Sequence, residues 1–295
     1  MSCIPRTDLA AERRRADLTL PGTENKKETF GNIEEETLFI KDDEAAAAIG
    51  KPIGTYTTLS FPALSQCDGG EKEVLTERLS AVLAAMVSRL TDKRDPAEMT
   101  LLIVGLGNRS VTADAVGVLT GEKIRATAHI KEEEPALFGK LGCAALSVLL
   151  PGVLSQSGIE ASDRIRALIP LLSPDAVIVF DALAARSFRR VGRTFQIADT
   201  GIEPGSGIGN RRKAVTKETL GVPVIAIGMP TITDTATLVR DILSSLPENT
   251  LSPETEKTIK DEEGSYVTPG ECDLIAEALS SIASEAVNRT FGLCL

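Results

Sequence analysis

Tryptophan is absent from this 295-residue sequence, aromatic residues of all kinds make up 3%, and histidine occurs once, at His129. So few rings leave no platform for stacking bases or sugars. A single imidazole cannot build an HExxH zinc site or most three-ligand catalytic zincs. The nucleophile elbow GxSxG of serine hydrolases is missing as well. Cys3, Cys67, Cys143, Cys272 and Cys294 are scattered, with no CxxC spacing, so they suggest neither a disulfide framework nor a zinc knuckle and read as reduced thiols of a cytosol. Nothing in the spacing of Cys143 and His129 recommends a thiol–imidazole pair. The chain opens on charge rather than on an apolar signal segment, and no apolar run is long enough to span a bilayer. Positive charge is in deficit: the formal net charge of -10 and a pI near 4.9 argue against direct binding to DNA phosphates and suit a basic protein or peptide substrate.

What is present is an alternation of apolar runs and amphipathic stretches. Residues 1–36 are polar with mixed charge and read as an N-terminal arm; 37–295 reads as one α/β domain, with 247–264 a polar linker or surface insertion. Within the domain, Thr37 to Ile40, Thr55 to Phe61, Met99 to Val104, Ala144 to Leu150, Val177 to Phe180, Thr194 to Ala198 and Val222 to Ile227 have the look of strands. Helices are expected over Glu71 to Leu90, with its stripe Val74, Leu75, Leu79, Val82, Leu83, Met86, and over Asp163 to Leu172. A short helix is expected between a cap at Asp43 and Gly50, another running to about Leu246, and a last one behind a capping box formed by Thr268, Pro269 and Glu271. Strands alternating with helices predict a three-layer sandwich around a mostly parallel central sheet.

The stretch VIVFDALAAR is the centre of this reading. Four apolar residues run into Asp181, and the helix-forming ALAAR follows. Asp181 is therefore expected at the carboxyl end of a buried strand, where catalytic groups of open α/β sheets collect; its bland role would be a helix N-cap. Asp114 lies in the loop GLGNRSVTADAVG after the Met99 to Val104 strand. That loop is not a dinucleotide fingerprint, because Ser110 replaces the third glycine, and no GK[ST] of a Walker loop exists. If the two strands are neighbours, Asp114 and Asp181 project from one sheet edge and can share a water, one as base and the other, protonated, as acid. Further along, DTGIEPGSGIGN brings Asp199 and the glycines 201, 205, 207 and 209, which permit close backbone approach to a peptide or anion. Arg211, Arg212 and Lys213 follow.

Taken together these stretches resemble the germination protease family of spore-forming bacteria. The resemblance is carried by RTDLA, AAAAIGKPIGTYTTL, IVGLGNRSVTADAVG, LLPGVLSQSGIEASD, VIVFDALAARS, QIADTGIEPGSGIGNRRK, ETLGVPVIAIGMPT and YVTPGECD, in that order along most of the chain. It implies a fold similar to the hydrogenase-maturation peptidases and an aspartic-type endopeptidase that starts degradation of small acid-soluble spore proteins. It also implies catalytic acids at Asp114 and Asp181, a homotetramer in the spore core cytoplasm, and a zymogen processed near Asp8–Leu9. Asn108, Arg186, Asp199, Gly205, Gly207 and Asn210 are expected to bind substrate, with no cofactor, metal or membrane involved. Two alternatives stay open: a divalent metal on the same carboxylates, or a spore-protein-binding homologue without catalysis. Departures from the family pattern are Ala113 in place of proline, a shorter polar insertion before the last helix, and a leader of only a few residues before RTDLA, which bears on zymogen control. The arm is expected to plug the cleft, helped by Leu9 and by the cluster Arg13 to Arg15.

Overall fold

TLLIVG and AVIVFDALAA are continuous apolar runs, and continuous runs suit strands covered on both faces. The computed structural model describes residues 7–13, 20–209, 212–243 and 252–292. In it these runs become β4 (Thr100–Gly105) and β6 (Ala176–Ala185), paired in parallel and both interior to the sheet. The other described strands are β1 (Thr23–Phe30), β2 (Ile33–Ile40), β3 (Gly54–Ser60), β5 (Ala145–Leu149), β7 (Thr194–Ala198), β8 (Val224–Asp234) and β9 (Tyr266–Val267). Their order is β1-β2-β3-β7-β8-β6-β4-β5, with β9 added to the far end of β8.

Among the described residues only β5–β4, β4–β6 and β6–β8 are parallel, and five of the eight pairings are antiparallel. The expectation of a mostly parallel sheet is therefore wrong: the sheet is mixed and mostly antiparallel. Its physical source lies in residues 23–40, the charged segment read as surface arm and domain start. TENKKETF is hardly apolar, yet it pairs residue for residue with β2 around a turn at Gly31. As an edge strand it needs charge to discourage further pairing, and that charge hides its strand character. Lys27 reaches Glu34 at 3.2 Å and Glu36 at 3.4 Å across the hairpin.

Helices lie on both faces. On one, Gly69–Thr91, Val116–Lys123 and Cys272–Phe291 close over Leu101, Ile103, Ile178, Phe180, Phe195 and Ile197. On the other, Ala161–Leu172 covers Leu102, Val104, Val177 and Val179. Asp68 caps the first of these helices, accepting from Glu71 N while Glu71 accepts from Asp68 N. The capping box expected at Thr268 does not form; its hydroxyl donates to the Thr231 carbonyl at 2.9 Å, and the helix begins at Cys272. The cap before Gly50 is Asp42 rather than Asp43. Within the expected polar linker, Pro253–Asp261 is helical.

The correction that matters most for function concerns ALAAR. No helix follows Asp181: β6 continues to Ala185 beside β8 in a register that slips once, between Leu183 and Ala184. Burial on both faces overrides the helix propensity of alanine and leucine. The last β4 residue, Gly105, pairs with Phe180, so from Asp181 onward β6 runs past the end of β4 with β8 alone as its paired strand.

Candidate active site

Asp181 is thus the first β6 residue beyond the end of β4, and side-chain alternation turns it to the face of Val177 and Val179. Its only exposed fraction is 5%, and Ala182 N donates to Oδ1 at 3.0 Å. Asp114 sits in a single turn, Thr112–Asp114, after the β4 loop. Asn108 N donates to its Oδ2 at 2.8 Å and also reaches its carbonyl at 3.1 Å, folding the loop back on itself. Gly107, at φ +111, allows this fold, because a Cβ there would lie 2.0 Å from the Asp114 carbonyl oxygen. The next helix, Val116–Lys123, is held close to the sheet by Gly117, which packs on the Phe180 and Leu106 carbonyls.

Both acids line one cleft of about 480 Å³, together with Leu106, Val111, Leu154, Gly205, Thr231 and Tyr266. Burial pushes the Asp181 carboxyl well above the usual carboxylate range, and the charges of Asp114 and then Asp8 push it further. Burial also raises Asp114, opposed by the hydrogen bond from Asn108. One acid thus favours its proton more strongly than its neighbour, which suits a general acid beside a general base. Among the described residues, no three His, Cys, Asp or Glu side chains are grouped as metal ligands.

A further carboxylate in the cleft arrives from the N-terminal segment. Asp8 N donates to the Ala184 carbonyl and Asp8 Oδ2 accepts from Ala184 N, both at 3.0 Å, while Ser206 Oγ donates to Oδ1 at 2.8 Å. Leu9 is fully buried against Leu183, Ala185 and Val191. Three residues on, Glu12 accepts from Arg186 N at 2.7 Å and Ser187 N at 3.0 Å. Residues 7–13 therefore lie along β6 beside the two acids.

The other expected site residues divide. Asn108 and Gly205 line the cleft, and Gly207 packs on Asp8, where a Cβ would fall 2.1 Å from Oδ2. Arg186 lies elsewhere, in an arginine-lined cleft with Arg189, Arg190 and Arg193, its Nε 3.7 Å from Asp241. Asp199 is a fastening: it accepts from Thr55 N at 2.7 Å and from Arg89 at 2.7 Å, and so anchors the start of the glycine loop. Asn210, Arg211, Arg14 and Arg15 lie outside the described residues, as does the side chain of Arg13. Sequence reading missed Ser206, Thr231, Tyr266 and Gln196; for the last the signal was a lone amide inside the apolar run TFQIA.

With this geometry in place, comparison with known proteins decides the family. A model described as "Germination protease" matches residues 6–248. The chain belongs to the germination protease family. A germination protease of Caldanaerobacter subterraneus subsp. tengcongensis is 36% identical over 314 residues, covering 96% of this chain and 93% of its own. Those of Clostridium perfringens and Bacillus velezensis are 35% and 41% identical, over 96% and 80% of this chain and 94% and 65% of theirs. Membership makes the chain a protease of the endopeptidase type that acts in spore germination. Among solved structures, a [NiFe] hydrogenase maturation protease, HycI from Thermococcus kodakarensis, matches at 22% identity and a TM-score of 0.29, over 63% of this chain and 92% of that one. A likeness that slight carries no argument, and the architecture rests on the strand pairings themselves. No helix among the described residues is long and apolar enough to cross a membrane.

Proposed function

We propose that this germination protease cuts small acid-soluble spore proteins with a water held between Asp114 and Asp181. The observation that carries the reading is the pair itself: a half-buried carboxyl in the turn that follows β4 and a buried one on β6, in one cleft, with the proton affinity of Asp181 raised by burial and by its neighbour's charge. Ionised Asp114 takes a proton from the water as its oxygen adds to the peptide carbonyl. Protonated Asp181 gives its proton to the leaving nitrogen. Activity then falls at low pH as Asp114 is protonated, and at high pH as Asp181 loses its proton.

The same reading makes the N-terminal segment the first substrate. Asp8–Leu9 lies in the cleft with the Asp8 carboxylate near Asp181 and Leu9 in an apolar socket, which supports processing at that bond and a plug until it is cut. The test is cleavage of a purified small acid-soluble spore protein by wild type, Asp114→Asn and Asp181→Asn. Each variant should lose at least about 10³-fold in kcat while keeping its fold, because removing one member of a cooperating pair removes most of its benefit. Full activity in either variant would overturn the pair. Loss of wild-type activity with a chelator and its recovery with a divalent cation would move the reading to a metal held by the same carboxylates. Absence of turnover would leave a binding homologue.

A further inference from the structure

We propose that Gln196 is a catalytic residue of this site, its amide holding the oxygen of the carbonyl under attack and its own carbonyl fixing the peptide two residues downstream. The inference rests on the reading above, in which Asp8–Leu9 is bound as substrate.

The sheet register places the residue. Asp181 pairs with Gly228 on β8, and Gly228 pairs with Gln196 on β7, so acid and amide stand on one rung of the sheet with a glycine between them. Paired residues point to the same face, two strand spacings separate their backbones by about 9–10 Å, and the Leu183 side chain lies over the glycine between them as the floor on which Leu9 packs. Gln196 alternates with Phe195 and Ile197, which face the opposite core, and is itself buried at 7% exposure.

A buried amide needs both of its polar ends satisfied. Here the N-terminal segment meets both needs. Gln196 Nε2 donates to the Asp8 carbonyl oxygen at 3.2 Å, and Gln196 Oε1 accepts from Ala10 N at 2.5 Å. Turned over, the amide would set oxygen against oxygen and N–H against N–H, so the pairing fixes its orientation. The two contacts bracket Leu9, whose side chain fills the pocket beside Leu183. Once residues 1–8 are cut away and the segment leaves, both amide atoms are free to take the backbone of another extended chain. The contacts are to main-chain atoms, so they serve any substrate sequence.

In the reaction the water oxygen bonds to the Asp8 carbonyl carbon and its proton passes to Asp114. The carbonyl π pair moves onto the oxygen held by Gln196 Nε2–H. On collapse the C–N bond breaks, the proton of Asp181 goes to the Leu9 nitrogen, and the products are the Asp8 carboxyl group and the Leu9 amine. A donor already aimed at the oxygen that gains charge stabilises the transition state more than the ground state.

The test uses the chain lacking residues 1–8, the processed form that the reading above predicts, so that no variant depends on its own processing, and a synthetic peptide of sequence RTDLAAER, together with the same peptide carrying an ester in place of the Leu–Ala amide. Wild type, Asp181→Asn and Gln196→Met are compared. Gln196→Met should lower kcat by about 10²-fold to 10³-fold. The ester, which lacks the N–H that Oε1 accepts, should raise KM several-fold in wild type, leave kcat unchanged, and make no further difference in Gln196→Met. If Gln196→Met keeps kcat within about threefold of wild type while Asp181→Asn is inactive, the inference falls and the acid pair stands. Cleavage by Asp181→Asn, or no cleavage after Asp by wild type, brings down the reading of the site and this inference with it. Should the Met variant not fold, the ester arm in wild type decides: an unchanged KM overturns the clamp.

Discussion

Strands β5, β4, β6 and β8 run parallel and are largely buried on both faces, whereas β1, β2, β3 and β7 join by antiparallel pairings and end in a hairpin that shows lysine and glutamate to water. The parallel half supplies the acids, in the turn that follows β4 and on β6. The antiparallel half supplies Gln196 and, through the Asp199 fastening to Thr55 and Arg89, the anchorage of the glycine loop that carries Ser206. In the proposed reaction chemistry and grip thus come from opposite sides of β8. The seam is marked by Gly228, where a Cβ would fall 2.1 Å from a Leu183 methyl.

The largest expected effects test whether the halves share one core. Phe180 on β6 and Phe195 on β7 are both fully buried in the same cluster. Phe180→Ala and Phe195→Ala should each cost about 3–5 kcal/mol in denaturant unfolding, with one cooperative transition in both variants. Two transitions, or a cost confined to Phe180→Ala, would make the antiparallel half a separate unit. A middle-sized effect is expected at the junction. Gly207→Ala drives a methyl into the Asp8 carboxylate and should break its bonds to Ser206 and Ala184, at about 1–3 kcal/mol in thermal unfolding. Unchanged stability would mean that the segment is not held there. The smallest belongs to the hairpin: Lys27→Ala removes two surface ion pairs and should shift stability by no more than about 0.5 kcal/mol.

The same contrast explains what could be read from the sequence. Buried parallel strands announce themselves as apolar runs, so β4, β5 and the start of β6 were legible, and with them the meeting of Asp114 and Asp181 at one sheet edge. The exit from Asp181 was not, because ALAA favours a helix locally and only the eleven-residue partner β8 makes it strand. β1 was hidden by the charge that an edge strand requires. Arg186 stands apart from the acids for the first of these reasons: the strand before it carries it several residues past Asp181 into a different cleft. Gln196 and Ser206 gain their meaning only from the segment that lies against them, through contacts across 188 and 198 residues that no local pattern encodes.

Burial favours a proton on Asp181, and the charge of Asp114 favours it further. Titration of the aspartate side-chain carboxyl carbons by ¹³C NMR, in wild type, Asp181→Asn and Asp114→Asn, measures this directly. One carboxyl of the wild type should keep its proton well above the usual carboxylate range, vanish from the spectrum of Asp181→Asn, and titrate at lower pH in Asp114→Asn, where its neighbour's negative charge is gone. If every aspartate of the wild type titrates within the usual range, or if Asp114→Asn leaves the high-titrating carboxyl unmoved, the two acids do not act as a pair.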